Sequence, residues 1–196
     1  MYQATTYPQP TFKTHPLLGS AAVRVALGTL VLAASSWISI PLSPIPITMQ
    51  TYAVIVLGAL FGARIGVITV LAWLAEAATG LPVLAHGAAG IHALLGPSAG
   101  YIVSFPAIAA FAGWLSDRKL DRGIATCLLS MLAANAINLG LGVLWLSILL
   151  GTHRAFLVGF APFWVGALIK AALATCTLTL IRSRRSTATP QASEGR

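Results

Sequence analysis

Apolar residues run along this chain in six long stretches, not in the alternation of a half-buried strand or the narrow stripe of a surface helix. They cover roughly residues 17–40, 49–62, 65–79, 100–116, 123–150 and 157–181. About 20 apolar residues in a helix cross a hydrocarbon core of about 30 Å. The pattern therefore predicts an all-α membrane protein with six transmembrane helices in one bundle. The second run is short for a crossing and calls for tilt or shielding by neighbours. A membrane β-barrel would need repeated alternating segments of about 10 residues, and the sequence has none.

The connections carry their own signals. Pro41, Pro44 and Pro46 forbid regular helix after the first run and force an extended or turning segment. The stretch GLPVLAHGAAGIHALLGPSAG, from Gly80 to Gly100, is too interrupted for a lipid-facing helix and too apolar for an exposed loop. It reads as a long outer loop between helices three and four, packed on the bundle. Residues 1–16 form a polar N-terminal tail, 17–182 the transmembrane domain and 183–196 a polar C-terminal tail. The N-terminus lacks the cationic stretch, apolar core and cleavage site of a secretion signal.

Composition sharpens the picture. Hydrophobic residues make up 57% of the 196 residues and charged residues only 8%, against about 25% in soluble domains. Mean hydropathy is +0.85. Lys and Arg number 12 against 4 Asp and Glu. These cations lie at the ends of apolar runs, so they suit anionic lipid head groups, not nucleic acid. With six crossings, Lys13, Arg64, Arg118, Lys119, Arg122, Arg182, Arg184 and Arg185 fall on one side and Arg154 on the other. The positive-inside rule then puts both termini in the cytoplasm and the Pro-rich and Gly-rich loops outside.

Polar residues within the runs acquire depths. At a rise of about 1.5 Å per residue, Lys170 lies about 18 Å from Arg182, Glu76 about 18 Å from Arg64 and Asn135 about 20 Å from Arg122. Asn138 shares a helix face with Asn135. A charge at this depth costs about 2.5–3.5 kcal/mol on insertion scales, so an interior polar cavity open to the outside is one explanation. A structural Lys170–Glu76 pair, with the Asn amides bridging helices, is the other. His86 and His92 lie over this level. Their spacing of six residues is wrong for a helical metal pair, and they suit hydrogen bonding to a ligand better. Trp73, Tyr101 and Trp164 are candidate flat walls, or else packing and interfacial aromatics.

Three further motifs bear on function. GPSAG, Gly96–Gly100, matches a nucleophile pattern around Ser98, but the flanking sequence is Gly/Ala loop where an elbow needs strand, turn and helix. Pro97 and its glycines fit a helix start instead. Ala22 and Ala26 form a small-residue step that lets another helix approach, within the bundle or from another membrane subunit. Arg24 between them can snorkel to the inner edge. Cys127 and Cys176, far apart in apolar runs, read as free thiols.

The runs IPLSPIPITMQTYAVIVLGALFGARIG, GLPVLAHGAAGIHALLGPSAGYI and APFWVGALIKAALA, in this order and spacing, resemble the BioY family of biotin-binding S components of energy-coupling factor transporters. The likeness spans roughly residues 17–182. It implies a six-helix fold in the bacterial cytoplasmic membrane, with biotin held beneath the loop between helices three and four. It also implies a transmembrane coupling subunit and two ATPase subunits, with Ala22 and Ala26 part of the contact. Biotin is then a transported ligand; no cofactor and no catalytic residue is expected, and the chain carries no P-loop. Thr48, Gln50, Gly80, Pro82, Gly96, Pro97, Gly100, Tyr101 and Lys170 match the family pattern. Together with the depth reading, the ligand-binding candidates are Gln50, Trp73, Glu76, His86, Tyr101, Asn135 and Lys170. Ala167 departs from the pattern, which has Asp one helical turn before the lysine; Glu76, at the same depth, is the candidate replacement. Three other readings stay open: an S component for another vitamin, an intramembrane hydrolase using Ser98 with His86 or His92, and a purely structural membrane subunit that binds no small molecule.

Overall fold

The computed structural model describes residues 20–187, with the backbone alone for 185–187. The expected tail 1–16, with Lys13, and the end of the C-terminal tail lie outside the described residues. The chain is a helical bundle. Helix α1 covers Ala21–Trp37. A short antiparallel pair, β1 (Ser39–Ile40) and β2 (Ile47–Thr48), follows, with Ser39 opposite Thr48. Pro41, Pro44 and Pro46 fall between its strands, where no ladder hydrogen bond is lost. Helix α2 runs Gln50–Ala78. The connection after α2 holds one 3₁₀ turn at Ala85–Gly87 and helix α3, Gly90–Leu95. Helices α4 (Ala99–Val103) and α5 (Phe105–Asp117) meet at Ser104. Helix α6 covers Ile124–Leu150 and α7 Thr152–Ala155. A π-helical turn, Phe156–Phe160, leads to α8, Trp164–Thr187.

Among the described residues four stretches are long and apolar enough to cross a membrane: Gln50–Ala78, Ala99–Asp117, Ile124–Leu150 and Trp164–Arg184. The difference from six has two causes. Helix α1, at 17 residues, is slightly short. The second and third apolar runs are joined in α2, which is not straight. Gly62 adopts φ +81°, a conformation open chiefly to glycine. Across it the chain doubles back: a Cβ placed on Gly66 would lie 2.8 Å from Cα of Gly58, although eight residues along a straight helix separate atoms by about 12 Å. The arms 50–61 and 63–78 therefore form a hairpin.

Helix α5 packs in this hairpin. Gly113 lies against Gly62 and Ala63, and Gly58 against Ala109. Asp117 Oδ2 accepts the backbone N–H of Ala63 at 3.0 Å, satisfying an amide that the reversal frees. The core here, to which α6 adds Met131 and α8 adds Leu178, includes Val54, Ile55, Val70, Trp73, Phe105 and Ile108, all fully or almost fully buried. At the same end as Gly62, Arg182 of α8 donates to Asp121 Oδ2 at 2.6 Å, to the Asp121 carbonyl at 2.7 Å and to Ser116 at 3.1 Å. This fixes the α5–α6 turn to the last helix.

Candidate functional site

A cavity of about 430 Å³ lies at the other end of the bundle. That volume suits a drug-sized molecule. Each wall has a sequence reason. The Pro-rich connection contributes Ile45, Pro46 and Thr48. It is held by a buried relay: Thr48 Oγ1 donates to Gln50 Oε1 at 3.0 Å, and Gln50 Nε2 donates to Ser36 Oγ of α1 at 2.8 Å. Both ends of the Gln50 amide are thus occupied by protein, so this side chain shapes the wall.

The roof comes from the connection between α2 and α4, with Leu84, His86, His92 and Pro97 on the cavity. Two indoles fasten it. Trp73 Nε1 donates to the Val83 carbonyl at 3.2 Å, and Trp145 Nε1 donates to the Gly96 carbonyl at 3.1 Å. His86 takes φ +57° at the tip of its turn. Both histidines are exposed. No cluster of metal-binding side chains occurs among the described residues.

The side walls are aromatic. Tyr101 and Phe163 stack at 5.8 Å with planes 25° apart, and Phe105 adds a third ring. The Tyr101 hydroxyl donates to the Gly159 carbonyl at 2.8 Å. Its ring fits because Gly142 faces it: a Cβ there would stand 2.2 Å from Cε1.

The polar floor lies on α6 and α8. Asn138 donates to the Tyr101 carbonyl at 3.0 Å and to Ser104 Oγ at 2.6 Å, where α4 meets α5. Asn135 gives its amide nitrogen to the Met131 carbonyl at 2.9 Å. Lys170 lines the cavity beside Ala167 and is only 9% exposed. Among the described residues no hydrogen bond or ion pair reaches its ammonium. Such a group at membrane depth is costly unless something anionic or strongly accepting meets it.

The structure thus brings Gln50, His86, Tyr101, Asn135 and Lys170 to one cavity, and separates three other candidates from it. Glu76 does not meet Lys170. With Ile65 and Ile68 it faces Ala22, Ala26 and Thr29 of α1 across a shallow groove. The face differs from the one the sequence reading needs: the inward face of this arm holds Gly66, Val70, Trp73 and Ala77. Trp73 is fully buried behind the roof and packs on Phe105, with ring centroids 6.1 Å apart. Trp164 is half exposed on the outer surface between α6 and α8. Ser98 borders the cavity at the start of α4, where its carbonyl accepts the Tyr101 and Ile102 amides. No hydrogen bond joins its hydroxyl to His86 or His92 among the described residues. Phe105 and Phe163 escaped the sequence reading; their signal was proximity to the polar Ser104 and to the turn before the last helix.

A multi-pass helical membrane protein with one deep, mostly apolar cavity and a buried cation in its floor is a small-molecule carrier or receptor by class. The chain belongs to the BioY family, whose profile matches residues 9–187. It is 36% identical over 163 residues to the biotin transporter BioY of Rhizobium etli, covering 79% of this chain and 84% of that one. It is 33% identical over 153 residues to the biotin transporter BioY of Thermotoga maritima, covering 78% and 89%. Its fold matches the crystal structure of the S-component for biotin from an ECF-type ABC transporter, with a TM-score of 0.72 and 27% identity, over 87% of this chain and 94% of that chain.

Proposed function

We propose that this chain takes up biotin as the substrate-capture subunit of an energy-coupling factor transporter, and is not an enzyme. The observation that carries the reading is the cavity itself: three rings, neutral polar groups and one buried ammonium, in a chain of the BioY family. Biotin has matching parts. Its thioether ring suits Phe105, Tyr101 and Phe163. Its ureido group has donors and an acceptor for Asn135 and the roof histidines. Its carboxylate is an anion for Lys170.

Six crossings follow if each arm of the α2 hairpin counts as one, together with α1, α4–α5, α6 and α8. The cationic end at Arg64, Arg118, Lys119, Arg122 and Arg182 then faces the cytoplasm and anionic lipid head groups, with both termini inside. The cavity faces outward under its roof. The groove bearing Ala22 and Ala26 is the face offered to a transmembrane coupling subunit, which two ATPases would drive. Glu76, in the same groove, belongs to that surface and not to the ligand.

Lys170→Ala should weaken biotin binding to the purified protein at least tenfold while leaving it folded. Unchanged affinity in a calorimetric titration removes Lys170 from the site. Mass spectrometry of ligand released from purified protein tests the substrate directly. Because Ala167 leaves the floor without a carboxylate, a second reading is another carboxylated vitamin of similar size. A competition panel of vitamins separates the two.

A further inference from the structure

The neutral polar groups of the cavity are not all spent on the protein. Gln50 is occupied at both ends of its amide, by Thr48 and Ser36. Asn138, only 5% exposed, is occupied at one end. Its nitrogen must be the atom that faces Tyr101, because a backbone carbonyl only accepts. One N–H goes to the Tyr101 carbonyl and the other to Ser104 Oγ, whose own proton is donated to the same carbonyl at 2.7 Å. Both donors are consumed, and the orientation of the amide is fixed. Asn138 Oδ1 is left toward Thr51 of α2, whose Oγ1 lies 3.5 Å away. A hydroxyl bond to oxygen is strong at about 2.7–2.8 Å, so this contact satisfies neither atom. Among the described residues no other hydrogen bond reaches the Thr51 hydroxyl or Asn138 Oδ1. Thr51 is buried too, and both residues line the cavity.

We infer that Thr51 and Asn138 together read one edge of the ligand's ureido ring: Asn138 Oδ1 accepts a ring N–H, and Thr51 Oγ1 donates to the neighbouring carbonyl. The inference rests on the biotin reading and deepens it, because it adds two specificity-determining residues and names the chemical group they select. A cyclic urea carries an N–H beside a C=O on one edge, and a lactam does the same. The Thr51–Asn138 pair presents an acceptor beside a donor, close enough for two hydrogen bonds side by side. A carboxylate has acceptors only, so the Asn138 oxygen turns it away from this edge. Buried polar groups are costly without partners, and the ligand supplies them here. Asn135, three residues earlier on α6, gives its nitrogen to the Met131 carbonyl and keeps its oxygen for the second ring N–H. Tyr101 and Phe105 flank Ser104 in sequence and both line the cavity. The clamp that orients the Asn138 amide therefore also sets two aromatic walls beside it.

The test is displacement of radiolabelled biotin from the purified full-length protein by biotin and by 2-thiobiotin, in which sulfur, a weaker acceptor, replaces the ureido oxygen. On the natural sequence biotin should compete at least tenfold better than 2-thiobiotin. Thr51→Val keeps the shape of the side chain and removes the hydroxyl. It should bind biotin at least fivefold more weakly, and the ratio of the two ligands should fall below threefold. Thr51→Ser should restore both. For Asn138, at least one of the two singly N-methylated biotins should compete thirtyfold less well than biotin. Thr51→Val retaining the full ratio, with its melting temperature unchanged, overturns the inference while leaving biotin as the substrate. So does 2-thiobiotin, or both N-methylated biotins, competing within threefold of biotin on the natural protein. Failure of biotin to bind at all defeats the underlying reading and this inference with it. The ligand comparisons on the natural protein need no variant, so they decide the matter even if Thr51→Val fails to fold.

Discussion

Gly142→Ala should damage the cavity from behind. The added methyl would stand 2.2 Å from Cε1 of Tyr101, and within 2.4 Å of two further ring atoms. Carbon atoms rest about 3.5–4.0 Å apart, so the ring must retreat by roughly 1.5 Å. A shift of that size takes the hydroxyl out of reach of the Gly159 carbonyl, now 2.8 Å away, and disturbs the stack on Phe163. Overpacking costs about 1–3 kcal/mol, and the lost buried hydrogen bond about 1 kcal/mol more. The sum is about 2–4 kcal/mol, or a drop in Tm of roughly 5–15 °C for a chain of this length. Biotin affinity should fall at least tenfold, because the wall moves into the ligand space. Gly140→Ala is the control. It lies two residues away on the same helix, and a methyl there meets nothing within 4 Å, so helix propensity alone should leave stability equal or slightly higher. The assays are a thermal melt in detergent and a biotin titration. A Gly142→Ala protein that melts within a degree of its parent and binds biotin within twofold would refute this account of the wall.

Other perturbations reach the scaffold. Asp121→Ala should destabilise by about 3–5 kcal/mol, because it strands Arg182 in a mostly buried site; a melt of the variant, compared with the Asp121→Leu/Arg182→Met double variant that should recover much of the loss, checks it. Gly62→Ala should cost about 2–4 kcal/mol, from the left-handed backbone conformation and crowding of Asp117, read as lower yield of folded protein and a lower Tm. Gln50→Ala removes the link between Ser36 and Thr48. A loss of about 1–3 kcal/mol and severalfold weaker biotin binding should appear in the same two assays.

The length of the apolar runs made the helices legible, and the three prolines marked the break that becomes the β1–β2 turn. Counting residues from a terminal arginine assigns Lys170, Asn135 and Glu76 one depth, and the cavity holds the first two of them. The count could not place them at a common azimuth. Glu76 is adjacent in sequence to the inward-facing Ala77, yet points to α1, because 100° of rotation separates successive side chains. Trp73 failed for a related reason: its indole N–H is spent on Val83, which only the folded roof brings near. The hairpin in α2 was half legible. The two short runs were visible, and Arg64 lay between them, but that a single glycine reverses the chain follows from Gly58, Gly66 and Gly113 packing backbone to backbone, a tertiary event. Phe105 and Phe163 carry no polar atom in their side chains, and only the neighbouring Ser104 and the turn before α8 hinted at them, although both line the cavity.

The tight reversal at Gly62 also bears on the surrounding lipid. The arms 50–61 and 63–78 rise only about 18 and 24 Å, and α1 about 25 Å, whereas α6 rises about 40 Å. One flank is too short for a hydrocarbon layer of about 30 Å and the other is longer than it requires. Hydrophobic mismatch on a single side pinches the adjacent leaflets and tilts the long helix. Such a mismatch is relieved by local thinning of the bilayer or by a neighbour whose own flank is equally short.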